Sequence, residues 1–173
     1  MMLTIGHSTR PLEEFIGLLK ENGVTRLLDV RTVPRSRHNP QYNADALPEP
    51  LAEAGIAYQH MPELGGLRKP KKDSVNQGWR NASFRGYADY MQTPEFGSAL
   101  GTLMALADKE PVCIMCAEAV PWRCHRSLIS DALAVRGVQV RHIMGPGKTG
   151  EHKLTPFAHV EGLHITYPFA LEE

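Results

Sequence analysis

The chain has 173 residues, 19 basic against 19 acidic side chains, and 42% hydrophobic residues. That balance suits one globular domain with a sizeable core and excludes a disordered, collagenous or disulfide-framed chain. No apolar run approaches the ~20 residues that cross a bilayer. The start, Met1 to His7, lacks a signal-peptide pattern, and three cysteines make no secreted framework. The expectation is a cytoplasmic protein with no membrane partner.

Taken in order, Leu3 to Ile5 predicts a first strand ending at Gly6. Leu12, Phe15, Ile16, Leu18 and Leu19 recur at helical spacing, between Pro11 at the start and Gly23 at the end. Thr25 to Val30 is largely apolar, like a strand covered on both faces. A loop with Pro34 and Pro40 follows, then a short helix over 50–54 and a strand over 56–61. Residues 62–82, rich in Gly, Pro and Lys, predict a long mobile loop. Residues 83–91 and 94–107 read as helices, the second capped by Thr93. Pro111 to Cys116 is the clearest buried strand, and residues 123–136 the next helix, closed by Gly137. A strand over 138–143 and a late one over 163–167 complete the series. Gly145 to Thr149 reads as a turn-rich surface loop, because the full phosphate-loop spacing is missing. Strands alternating with helices predict a single three-layered α/β domain, residues 1–173, with a mainly parallel sheet flanked by helices.

Such sheets bind ligands at the carboxyl ends of their strands. That rule gathers His7 and Ser8 after the first strand. It adds Asp29, Arg31, Arg35, Ser36 and Arg37 after the second, and Cys116, Glu118, Cys124, His125 and Arg126 around the buried strand and its helix. A helix start favours an anion or a thiolate. Cys124, flanked by Arg123, His125 and Arg126, is therefore expected to be the low-pKa thiol, with Cys116 as a second. Cys113, inside the apolar strand, is expected in the core. Asp29 and Arg31 read equally as an ion pair holding the strand end.

Other chemistries fit less well. Cys116 to Arg123 is one residue longer than a phosphatase-type Cys-x5-Arg loop and has no glycine. Cys116, Cys124 and His125, with Glu118 or His7, match no common zinc spacing. Cys113 and Cys116 face opposite sides of a strand, and Cys116 to Cys124 lacks the usual redox spacing. Neither a metal nor another cofactor is expected.

Leu28-Asp29-Val30-Arg31 is similar to the strand-end motif of rhodanese-like domains. Thr4 to Thr9, Leu28 to Arg31 with Pro34 and Ser36, Leu64-Gly65-Gly66, and Cys116-Ala117-Glu118 with Cys124-His125-Arg126 together resemble the family called domain of unknown function 488. The resemblance runs from residue 3 to about 144. It implies an α/β domain with a shared polar pocket and implies no particular reaction.

The residues thus point to an anion-binding pocket for a phosphate-bearing or other anionic ligand. If it is catalytic, Cys124 or Cys116 is the reactive group, His7 or His125 the acid–base partner, and Glu118 orients a donor. Arg31, Arg35 and Arg126 hold the anion. The alternative is a nucleic-acid-binding module. Residues 26–37 and 68–85 hold ten of the nineteen basic side chains and only two acids, Asp29 and Asp73. Oligomeric state is not legible.

Overall fold

Successive side chains along a strand point to opposite faces, so an apolar strand must be covered twice. In the computed structural model, which describes residues 1–169, eight strands and five helices meet that demand. They run β1 (Met2–Gly6), α1 (Leu12–Glu21), β2 (Arg26–Asp29), α2 (Pro48–Glu53), β3 (Ala57–His60), α3 (Ala82–Tyr90), α4 (Pro94–Lys109), β4 (Val112–Cys116), α5 (Arg126–Val135), β5 (Val140–Gly145), β6 (Lys148–Glu151), β7 (His159–Glu161) and β8 (His164–Thr166). The last four residues of the expected domain lie outside the described ones.

The main sheet has the order β3-β2-β4-β1-β5-β6, parallel except for β6. Leu3, Ile5, Leu27, Cys113 and Met115 face α1 and α2; Leu28, Ile114, Cys116 and Val140 face α3, α4 and α5. The three-layered α/β architecture is therefore as the apolar spacing predicted. In α1 the buried face is Phe15, Leu18 and Leu19, each contributing about 2 kcal/mol of apolar burial. Glu13 and Glu14 sit in its first turn and Lys20 in its last, matching the helix dipole. No helix among the described residues is long and apolar enough to cross a membrane.

This connectivity sets the position of the site. β1 and β2 flank β4 and are followed by helices on one face, whereas β4 is followed by α5 on the other. Loops leaving neighbouring strands in opposite directions open a crevice, and Cys116 ends the central strand of that crevice.

Three local expectations differ from the structure. The helix after β4 begins at Arg126, because Pro121 to Arg123 form a separate 3₁₀ turn. The glycine loop at 145–147 is the turn of an antiparallel hairpin joining β5 to β6. The basic loop is pinned at both ends of its middle section. Buried Asp89 accepts hydrogen bonds from the Lys71 amide (2.8 Å), the Ser74 hydroxyl (2.5 Å) and the Asn76 amide group (2.7 Å). Asn76 Oδ1 in turn accepts the Tyr167 amide at 2.8 Å.

Candidate functional site

The site is built from the segment that leaves β4. The His7 and Ser8 amides donate to the Cys116 and Ala117 carbonyls at 2.9 Å each, extending the β1–β4 pairing beyond both strands. This close approach requires Gly6: a Cβ there would stand 1.6 Å from the Glu118 carbonyl oxygen. Ser8 turns the chain away with φ 48°, in the left-handed region. The 3₁₀ turn then brings Cys124 back beside Cys116.

A cavity of about 440 Å³ opens here, lined by Arg31, Thr32, Val33, Arg35, Gly66, Leu67, Ser83, Phe84, Cys116, Ala117, Glu118, Arg123, Cys124 and His125. Both thiols form its inner wall and are nearly buried, Cys116 at 2% and Cys124 at 6% exposure. Arg35 and Arg123 are exposed at its mouth, and neither is ion-paired among the described residues.

Arg126 is the anomaly of the site. It is fully buried, and among the described residues no carboxylate lies within ion-pair distance of it. Its guanidinium donates to Thr4 Oγ1 (3.0 Å), the Glu118 carbonyl (3.0 Å) and the Ala119 carbonyl (3.3 Å), and its Nε has no partner. A buried cation costs several kcal/mol unless an anion answers it. Burial opposes ionisation of Cys116, but a hydrogen bond from Cys124 and the Arg126 charge outweigh it and hold the Cys116 thiol below the usual thiol range. Cys124 goes the other way: burial pushes its thiol up, and the neighbouring Cys116 pushes it further. Cys113 is raised by burial on the opposite face.

His125 completes the wall. Its Nε2 donates to the Val30 carbonyl at 2.9 Å, leaving Nδ1 as an acceptor 3.5 Å from Cys124 Sγ. Cys124 Sγ thus faces an imidazole lone pair and accepts the Arg126 amide at 3.5 Å. Gly66 lets the ring fit, since a Cβ there would stand 2.6 Å from His125 Nδ1.

Behind Arg126 runs a chain of polar groups. Asp131 accepts from His152 Nε2 (2.7 Å), His152 Nδ1 and His142 Nε2 share a hydrogen bond (2.9 Å), and His142 Nδ1 shares one with the Thr4 hydroxyl (2.5 Å), whose oxygen accepts from the Arg126 guanidinium. The chain joins Arg126 to Asp131 through three side chains and fixes how the guanidinium sits.

A family model described as "Domain of unknown function DUF488" matches residues 11–133. The chain belongs to that family. No curated protein and no solved structure matches it. The DUF488 match covers β2, β4 and the first turns of α5, and with them both cysteines and the Asp29–Arg31 pair.

Within this DUF488 domain the remaining expected site residues divide into two groups. Glu118, Arg35 and Arg31 line the cavity with the cysteines and His125. His7, Asp29 and Arg126 do not; they are buried behind it. Arg31 grips Asp29 through Nε (2.9 Å) and Nη2 (2.6 Å), Tyr58 also donates to Asp29, and Arg31 Nη1 lies 3.4 Å from His7 Nε2. His7 stacks on Tyr42 at 4.3 Å and donates through Nδ1 to the Ser8 carbonyl; burial lowers its pKa. This cluster holds the strand ends, with the Arg31 charge answered by Asp29. Ser36 accepts the Asn39 amide, and its own amide donates to Asn43. Arg37 is exposed outside the cavity.

One expectation needs correction: Cys124 does not open α5; it stands before the helix cap, His125, and burial and the neighbouring Cys116 push its thiol up. Of the two basic stretches, Arg31 and Arg35 line the cavity together with Leu67, Ser83 and Phe84. Arg26 lies at the amino end of β2, at the opposite sheet edge, and pairs with Glu110 at 3.2 Å. Arg68 stacks on the Tyr90 ring at 3.6 Å.

Sequence reading missed Thr4, His142, His152 and Asp131, because nothing local marks partners 138 residues apart. It also underrated Arg123, which was visible only as part of a positive field.

The buried histidines predict a pH profile. Burial lowers His125 to about 4, against an ordinary 6.5. Between those values the unfolded chain takes up a proton that the folded chain does not. Stability is therefore fully present above pH 6.5, falls as the pH drops toward 4, and levels off below it. His125 alone accounts for on the order of 3 kcal/mol, and His142, lowered to about 3 mainly by burial, acts in the same direction. Denaturation midpoints across this range check it; an unchanged midpoint contradicts it.

Proposed function

We propose that this protein is a cysteine-dependent enzyme acting on a small anionic substrate, with Cys116 as its nucleophile. One observation carries the reading: the buried Arg126 has an unpartnered Nε and, among the described residues, no carboxylate within ion-pair distance, and its charge favours the thiolate of Cys116 on the cavity wall. A thiolate, not a thiol, is the attacking species. Here it forms at the carboxyl end of the central strand, on a cavity wall, where a ligand meets it. Arg35 and Arg123 at the mouth hold the phosphate, carboxylate or sulfonate of that ligand. In the chemical step Cys116 bonds to the electrophilic atom, and the leaving group departs with its bonding pair. His125, lowered by burial to about 4, is neutral at physiological pH and faces the Cys124 sulfur through Nδ1. Arg31 supports the site through Asp29 and His7 without donating its charge to substrate.

Site-resolved alkylation tests this reading. At neutral pH, iodoacetamide is expected to modify Cys116 at least about tenfold faster than Cys113, because one unit of thiol pKa changes the thiolate fraction tenfold. Added sulfate or phosphate is expected to slow the Cys116 reaction by occupying the arginine mouth. Equal rates at the two cysteines refute the nucleophile, and indifference to anions refutes the anion site.

A further inference from the structure

The reading above uses one thiol and leaves Cys124 without a task. Yet Cys124 is placed with care. It shares the cavity wall with Cys116, on the opposite side of the sheet from Cys113. Its backbone is extended (φ −137°, ψ 147°) between the 3₁₀ turn and α5, so no helix holds it away from its neighbour. His125 Nδ1, with its lone pair free, lies 3.5 Å from its sulfur. Two thiols on one cavity wall, the second on an extended stretch outside the helix, form the arrangement that resolves a sulfenic acid.

Cys116 is 2% exposed and presents little more than its sulfur to the cavity; a hydroperoxide, which reacts through one oxygen, needs no more. We infer that Cys116 and Cys124 form a dithiol centre that reduces small hydroperoxides, Cys116 attacking and Cys124 resolving. The inference rests on the reading of Cys116 as the thiolate and adds a reaction class to it.

The electrons balance as follows. The Cys116 thiolate bonds to one peroxide oxygen, the O–O bond breaks, and hydroxide or alkoxide leaves and takes a proton from water. Cys116 is now a sulfenic acid and the peroxide is reduced by two electrons. Cys124 sulfur bonds to Cys116 sulfur, and the sulfenic oxygen takes the Cys124 proton and leaves as water. An external dithiol returns the disulfide to two thiols by exchange.

The test treats the whole protein with a single equivalent of hydrogen peroxide at neutral pH and maps peptides without reductant. The expected product is a Cys116–Cys124 linked pair in most of the protein, with Cys113 unmodified. In Cys124→Ser, Cys116 is expected to persist as a sulfenic acid trapped by dimedone. Oxidation of wild-type Cys116 to the sulfinic acid without linkage overturns the resolving role. Rapid alkylation of Cys116 with no oxidation by peroxide overturns the inference and leaves the nucleophile reading standing. Resistance to both reagents overturns the two together.

Discussion

Arg126→Met is expected to slow alkylation of Cys116 at neutral pH by about tenfold or more, with the fold retained. The guanidinium opposes the cost of burying a negative sulfur, and methionine fills similar space without charge. Replacing a buried ion by an apolar group is often neutral for stability. Here the Glu118 and Ala119 carbonyls lose their donor, which sets the expected loss at about 2–4 kcal/mol. Arg126→Lys separates charge from shape. It keeps a cation but loses the fork that reaches Thr4 and two carbonyls, so it is expected to restore part of the alkylation rate. An Arg126→Met protein that folds and alkylates at the wild-type rate would show that Cys116 does not depend on this cation.

Asp131→Ala is expected to be the most destabilising of the single changes considered. The carboxylate is fully buried and accepts from His152 Nε2 (2.7 Å), the Thr155 amide (3.1 Å), the Thr155 hydroxyl (2.7 Å) and the Tyr167 hydroxyl (2.7 Å). Removing it strands donors from two segments of the C-terminal part and ends the polar chain without its anion. Losing one member of a buried charged network costs about 3–5 kcal/mol, equivalent to a fall of about 10 °C in Tm at this chain length. Asp131→Asn retains an acceptor oxygen and is expected to lose clearly less. Thermal melts of both variants measure the difference; equal losses would mean that packing rather than charge holds the chain together.

The layout of the fold was legible where burial imposes a period. The β4 stretch Val112 to Cys116, covered on both faces, and α1, with Phe15, Leu18 and Leu19 on one stripe, were readable from apolar spacing. β6 and β7 were not, because their residues are exposed or half-buried and show no apolar pattern. The start of α5 was misplaced because Pro121 supports a 3₁₀ turn as readily as a helix start. The loop at 62–82 reads as mobile from its lysines and prolines, but Asp89, a residue of α3, accepts from the Lys71 amide and the Ser74 and Asn76 side chains. That is a tertiary fact with no local trace.

The site divides along the same line. Convergence of His7, Asp29, Arg31, Cys116, Glu118, Cys124 and His125 at one sheet edge follows from topology and was readable. Which thiol its surroundings favour as a thiolate was not, because that turns on Arg126 pointing inward. A cation in the first turn of a helix ordinarily stays in solvent. This one is drawn into the core by Thr4 and the Glu118 carbonyl, partners supplied by β1 and the loop after β4.

The central claim is a stabilised thiolate at Cys116, and titration of the folded protein measures it most directly. Ultraviolet thiolate absorbance against pH is predicted to show one thiol of three ionising below the usual thiol range, a step that disappears in Cys116→Ser and remains in Cys124→Ser. Ionisation of all three thiols only above that range, or a low step that survives Cys116→Ser, would contradict the account.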